Sequence, residues 1–172
     1  MIASAIAWML VQSGGLTANM HPEEEVKVHG LASTGTGISL AGRANHSLIG
    51  RSPFFVNLGA AFSFSQRPWL ELEAGAQFEV ERRVGIALVP KIRAFLPKMD
   101  RLKVYTSFAI PTFVFPYSLY GIAGGVGARL ALLRYLDASA DATISGFFGG
   151  SDLPKGQGLA KFDLALGVVA HF

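Results

Sequence analysis

Cysteine is absent from the chain, which removes a disulfide framework and thiolate metal sites from consideration. Charge is scarce: Asp, Glu, Lys and Arg make up 16% of the residues, against about 25% in ordinary soluble domains. Long hydrophobic runs are missing too. No stretch of about 18 or more apolar residues without charge occurs, so spanning helices do not explain the composition. The net charge of +3 is mild and the basic residues are dispersed among acidic ones, which argues against a nucleic-acid partner. No H-x-x-x-H, D-x-D or glycine-rich phosphate loop is present. GGVGAR at residues 124–129 lacks the strand-to-helix context of such a loop, and small residues facing a narrow interior account for it.

What the chain has is hydrophobicity without runs. Apolar residues are 51% of the 172, with a mean hydropathy of +0.39. A transmembrane barrel produces this by placing apolar residues at alternate positions. One domain is the natural count at this length. Residues 2–11 form a short apolar run followed by small and polar residues, and residues 1–25 read as a signal-like or leader segment. No Lys or Arg precedes Lys27, so the positive start of a signal peptide is missing. Ala18 or Ser13 would end a cleaved segment, and residues 21–25 would then lead into a barrel domain over residues 26–172.

From Val26 onward the chain divides into about eight alternating segments separated by turn signals. The first, residues 26–42, is interrupted by Gly-Thr steps, and only residues 38–41 are strongly strand-like. The others span 53–65, 69–81, 83–96, 102–115, 120–132, 135–145 and 159–172. In the third, Leu70, Leu72, Ala74, Ala76, Phe78 and Val80 oppose Glu71, Glu73, Gly75, Gln77, Glu79 and Glu81. A period of two is the mark of a strand, because successive side chains leave opposite faces. Most segments are longer than the usual five or six residues and suit tilted strands crossing about 25 Å of hydrocarbon. Tight turns at 66–68, 98–101 and 133–135 alternate with connections at 43–52, 81–83, 116–119 and 147–158, of which 43–52 and 147–158 are the long ones. Pro90 and Pro111 fall inside strands, where a missing ladder donor predicts a bulge or local break.

The final segment puts Phe162, Leu164, Leu166, Val168, Ala170 and Phe172 on one face, behind Gly167. This resembles the closing strand of bacterial outer-membrane β-barrels. The resemblance is to the small barrels that include the OmpA membrane domain and OmpX-like proteins, and it covers residues 26–172. It implies an all-β, antiparallel up-and-down transmembrane barrel of about eight strands in the bacterial outer membrane. It also implies that Gly167, Val168, Ala170 and Phe172 form an assembly signal read by the barrel assembly machinery.

Period two alone does not say which face points inward. The polar faces carry many small residues, among them Gly59, Gly75, Gly121, Gly125, Gly127 and Gly167, as a narrow lumen requires and a solvated surface does not. The charges also look mutually compensating: Glu71, Glu73, Glu79 and Glu81 lie beside Lys91 and Arg93, and Lys103, Arg129, Asp137, Asp141, Lys161 and Asp163 follow around the ring. Buried charges need partners, so these twelve are the expected lumen network. Phe54, Phe64, Trp69, Tyr117, Tyr120, Tyr135, Phe147, Phe148 and Phe172 fall near strand ends, where membrane barrels carry aromatic girdles.

Catalytic signals are few. Asn45, His46 and Ser47 form the one suggestive cluster. Adjacent His and Ser would face opposite ways in an extended strand, so the base would not reach the hydroxyl. His29 and His171 are too far apart in sequence to suggest a metal site. No catalytic, cofactor or metal residue is therefore assigned. The expectation is a monomeric, non-enzymatic envelope protein that contacts outer-membrane lipid and plays a structural or surface-interaction role. The alternatives are a narrow solute pore, a lipid A-modifying barrel enzyme and a soluble lipocalin-like ligand-binding barrel.

Overall fold

The computed structural model describes residues 25–43, 46–81, 84–97, 101–151, 153 and 157–172. The leader before residue 25 lies outside them, as does Asn45. Among the described residues nine strands follow one another: β1 Val26–Arg43, β2 His46–Phe64, β3 Arg67–Glu79, β4 Gly85–Phe95, β5 Leu102–Ala109, β6 Thr112–Phe115, β7 Leu119–Leu133, β8 Leu136–Gly150 and β9 Gly158–His171. Each pairs antiparallel with its neighbours. The ring closes because β1 pairs with β9 as well as β2, with His29 opposite His171 and Gly42 opposite Gly158. β5 and β6 share one position between β4 and β7, so the barrel has eight staves. Closure leaves no sheet edge to solvate.

The split between β5 and β6 follows from the two prolines together. Ile110 donates its N–H to the Pro90 carbonyl, and Gly121 donates to the Pro111 carbonyl. In an antiparallel hydrogen-bonded pair the partner should donate in return, but proline has no N–H. Ile110 and Pro111 thus each lose one return bond, on opposite sides of the stave. The expected break appears at Pro111. At Pro90 the expectation fails, because β4 runs unbroken through Ala74↔Pro90 on its β3 side and the missing donor faces the β5–β6 gap instead.

Other strand boundaries differ from those the sequence pattern predicts. Residues 43–52 are not a long loop: β1 and β2 stay paired up to Arg43↔His46. The weak first segment is a single 18-residue strand, held by its ladders to β2 and β9. Ser52 and Phe55 are both buried because β2 inserts an extra residue at Pro53 and Phe54 where the register shifts, a location that tolerates proline. The first tight turn sits at residues 65–66, and β8 extends to Gly150, shortening the connection expected over 147–158.

Polarity is inverted relative to a soluble domain. Glu71 is 2% exposed and Glu79, Arg93, Arg129, Asp137 and Lys161 are buried, whereas Leu166 is 69% exposed and Leu58, Leu88, Val126, Ile144 and Leu164 also face outward. The alternation read in the sequence therefore places the apolar face outside. Glycines on the inner face make room for large side chains: a Cβ on Gly127 would lie 2.5 Å from the Tyr105 ring.

Candidate functional site

The lumen is organised in layers along its axis. Nearest the end that carries the start of β1 and the end of β9, Glu71 of β3 is chelated by two arginines. Arg129 of β7 donates to both carboxylate oxygens, at 2.5 and 2.8 Å, and Arg93 of β4 donates at 3.0 Å. Arg93 also pairs with Glu73 at 2.6 Å, and Lys91 approaches Glu73 at 3.8 Å. Tyr105 of β5 donates to Asp141 at 2.9 Å. Its ring lies 5.2 Å from the Arg93 guanidinium and 5.6 Å from that of Arg129, which also stacks over Phe95 at 5.2 Å. Bidentate guanidinium contacts in a low-dielectric lumen are strong and directional. This cluster closes the lumen there.

Beyond it lies a polar void of about 60 Å³ whose lining includes Asn57, Gln77, Lys91, Asp141, Thr143 and Asp163, sized for a water or two. A second closure follows at the opposite end. Lys161 of β9 donates to Glu79 at 2.7 Å, and Tyr117 donates to the other Glu79 oxygen at 2.9 Å. Phe113 and Phe147 lie 5.0 and 5.5 Å from the Lys161 ammonium and pack with Ala87 and Leu119. Tyr117 and Phe147 therefore line the lumen and do not belong to the expected girdle. Phe147 and Phe148 are consecutive, so only one can face out, and Phe148 does. Tyr120, Tyr135 and Phe172 are also exposed, Trp69 is exposed at the mouth of a cavity at the terminal end, and Phe54 and Phe64 are half-buried.

Four of the twelve charges stand apart from these closures, Asp163 in the void between them and three others towards the ends. Glu81 lies past the end of β3, at the rim, paired with Arg51. Lys103 lines an open cavity at the terminal end of the barrel. Asp137 accepts from His171.

That last contact belongs to a chain that sequence reasoning missed. His171 Nε2 is 2.9 Å from Asp137 Oδ2, His171 Nδ1 is 2.9 Å from His29 Nδ1, and His29 Nε2 is 2.8 Å from Ser63 Oγ. One set of neutral tautomers satisfies every link. Ser63 donates to His29, His29 Nδ1–H donates to His171, and His171 Nε2–H donates to Asp137. Such a chain fixes both rings, which meet edge-on at 4.6 Å, and polarises the Ser63 hydroxyl. The signal was available: in an up-and-down barrel the first and last strands pair antiparallel, so a His near the start of one meets a His near the end of the other. Among the described residues, no group of three or more His, Asp or Glu is arranged to hold a metal. His46 and Ser47 begin β2, away from this chain.

The sequence matches no protein-family model, and no curated protein is similar to it in sequence. Solved structures are similar in fold. Neisserial surface protein A is matched with a TM-score of 0.65 at 12% identity, over 87% of this chain and all of that one. A de novo designed transmembrane β-barrel gives 0.51 at 12% identity over 81% of this chain and 95% of the design. The N-terminal β-barrel domain of Pseudomonas aeruginosa OprF gives 0.50 at 14% identity, over 84% and 97%. Eight staves, a charged lumen and an apolar exterior give this chain the fold of the small outer-membrane β-barrels.

Proposed function

We propose that this protein spans the bacterial outer membrane as a closed, monomeric, non-enzymatic barrel with a structural or surface-interaction role in the envelope. The observation that carries this reading is the inversion of polarity. A continuous exposed belt of Leu, Ile, Val and Phe surrounds a lumen whose buried groups include paired Glu and Arg. In water the belt would be an aggregation hazard; in hydrocarbon it is the required surface. The two lumen closures support a barrel that does not conduct. Fold neighbours that are outer-membrane proteins, one of them named a surface protein, support the location. The test is membrane fractionation of cells expressing the protein, with heat-modifiable gel mobility and circular dichroism of the detergent-purified barrel. A strand-rich protein that stays soluble without detergent would overturn the reading. Flickering or steady conductance in a planar bilayer would overturn the non-conducting part.

The outward-facing Val168 and Ala170 of β9 and the following Phe172, preceded by the inward-facing Gly167, are proposed as the segment read by the assembly machinery. Phe172 is almost fully exposed, so Phe172→Ser should lower outer-membrane yield while leaving the unfolding midpoint of refolded barrel nearly unchanged.

A second reading rests on the Ser63–His29–His171–Asp137 chain. A hydroxyl bonded to an imidazole whose other nitrogen is held in place has the parts of an activated nucleophile, opening on a cavity. In this reading the barrel is a hydrolase. Covalent labelling of Ser63 by a fluorophosphonate, lost in His29→Ala, would establish it; no labelling of folded wild-type barrel would remove it.

A further inference from the structure

The cavity at the terminal end of the barrel, about 890 Å³ and open at its mouth, has a volume typical of small-molecule sites. Its wall is divided by chemistry. The end of β2, the start of β3 and the end of β4 with the residue after it contribute Phe64, Trp69, Phe95 and Leu96, while β1 and β5 contribute Lys27 and Lys103. Among the described residues one acid lines it, Glu71, and both oxygens of that carboxylate are taken by Arg93 and Arg129. Among the described residues no carboxylate pairs with Lys27 or Lys103. Arg129, 3% exposed, keeps its Nε without a partner. Lys27 and Lys103 thus stand on opposite staves, with the apolar wall of β2, β3 and β4 between them, and among the described residues the cavity carries no uncommitted negative charge.

We propose that this cavity binds a single-chain anionic amphiphile, a long-chain fatty acid carboxylate. The carboxylate sits against Lys103, with Lys27 at the mouth, and the acyl chain lies along the Phe64, Trp69, Phe95 and Leu96 wall. A cationic ligand is disfavoured because the one acid present is fully committed. A neutral chain would leave the two lysines as they are and gain only the apolar contacts. An ammonium on a flexible stem reaches a point anion without demanding a fixed geometry, which suits a ligand whose chain sets its position.

The experiment uses the full chain in lipid nanodiscs and a diazirine-bearing palmitic acid, with cross-links mapped by mass spectrometry. Labelling should concentrate on Phe64, Trp69, Phe95 and Leu96, and excess unlabelled palmitate should compete it away. Lys103→Glu should lower that labelling by about tenfold, as expected for loss of a charge-assisted contact, and Lys103→Arg should retain it. Lys103→Gln, with charge removed rather than reversed, serves if the Glu variant loses heat-modifiable mobility. Three results would each overturn the proposal: equal labelling by the corresponding diazirine alcohol, labelling unchanged by loss of the Lys103 charge, or labelling spread evenly over outward residues such as Leu72 and Leu88. Labelling only by a phosphate-headed analogue would overturn the carboxylate assignment in the same way.

Discussion

The two ends of the lumen are sealed by different means. At the terminal end the seal is ionic: one carboxylate, Glu71, holds two guanidiniums, and Tyr105 and Phe95 stack around them. At the opposite end the seal is mostly apolar. Phe113, Phe147, Leu119 and Ala87 fill the bore, and a single Lys161–Glu79 pair is set against the rings. Burying charge costs more than burying rings, so the ionic end holds together only while all its members are present. The aromatic end distributes its stability over many weak contacts. The first should therefore fail abruptly on single substitutions and the second should yield gradually.

The largest effect expected is at Glu71. Glu71→Ala leaves Arg93 and Arg129 buried without their shared partner, and breaking such a cluster costs about 3–5 kcal/mol. Urea unfolding of the barrel refolded in detergent should show the midpoint collapse, or no folded band on a gel. A shift as small as that of an exposed pair would mean that water reaches the arginines freely. Reversal at Arg93→Glu should be at least as severe, since Glu71 and Glu73 would then face a third acid.

The second test concerns the exterior rather than the lumen. Leu88 is outward and exposed, near the middle of β4. Leu88→Arg should cost about 2–4 kcal/mol in a bilayer. Gln77→Arg, on the inner face of β3 beside the polar void, should cost less because Asp141 and Asp163 line the same void. Equal tolerance of the two would contradict the apolar-out arrangement.

These comparisons also show which parts of the architecture were legible beforehand. Alternation in residues 69–81 and 83–96 put the strand-three acids beside Lys91 and Arg93, and the β3–β4 ladder sets Glu71 opposite Arg93 and Glu73 opposite Lys91, while Glu79 lies opposite Gly85. Period two and a short connection fix such neighbours locally. Contacts across the bore are another matter. Arg129 reaches Glu71, and Lys161 reaches Glu79, only after the ring has closed, and no local pattern encodes which inner residues share a level. His29 and His171 are 142 positions apart; they meet because the first and last strands pair, a consequence of closure rather than of either segment. The strand boundaries in β1 and β2 were obscured by Gly, Ser and Thr, which read as turn formers in isolation but are held extended by the ladders on either side. Phe147 and Tyr117 were misplaced because proximity to a strand end does not decide facing.

A smaller effect is expected at the aromatic end. Glu79→Gln removes the charge partner of Lys161 while leaving its ammonium against Phe113 and Phe147, and the amide still accepts from Tyr117 or Lys161. A loss of about 1–3 kcal/mol follows from weakening hydrogen bonds to a charged group. A loss equal to that of Glu71→Ala would erase the proposed difference between the two seals.

The smallest effect belongs to a charge pair outside both seals. Arg51 in β2 and Glu81 just past the end of β3 form an ion pair with side chains 59% and 41% exposed. The contact is as short as the Arg129–Glu71 one, 2.5 Å in each case, so distance does not separate them. Solvent does. Water already stabilises both exposed charges, and ordering two long side chains offsets much of what the contact returns, leaving about 0–1 kcal/mol. Arg51→Ala should therefore move the unfolding midpoint little. What remains of the effect should vanish in about 1 M salt, where charges are screened within about 3 Å. The Glu71 cluster, buried beneath the floor of the terminal cavity with side chains 2–5% exposed, should keep most of its contribution in the same buffer. Measuring both variants at low and high salt tests whether the barrel interior insulates its charges; parallel salt sensitivity would show a lumen open to ions, and the ionic seal would then not be a seal.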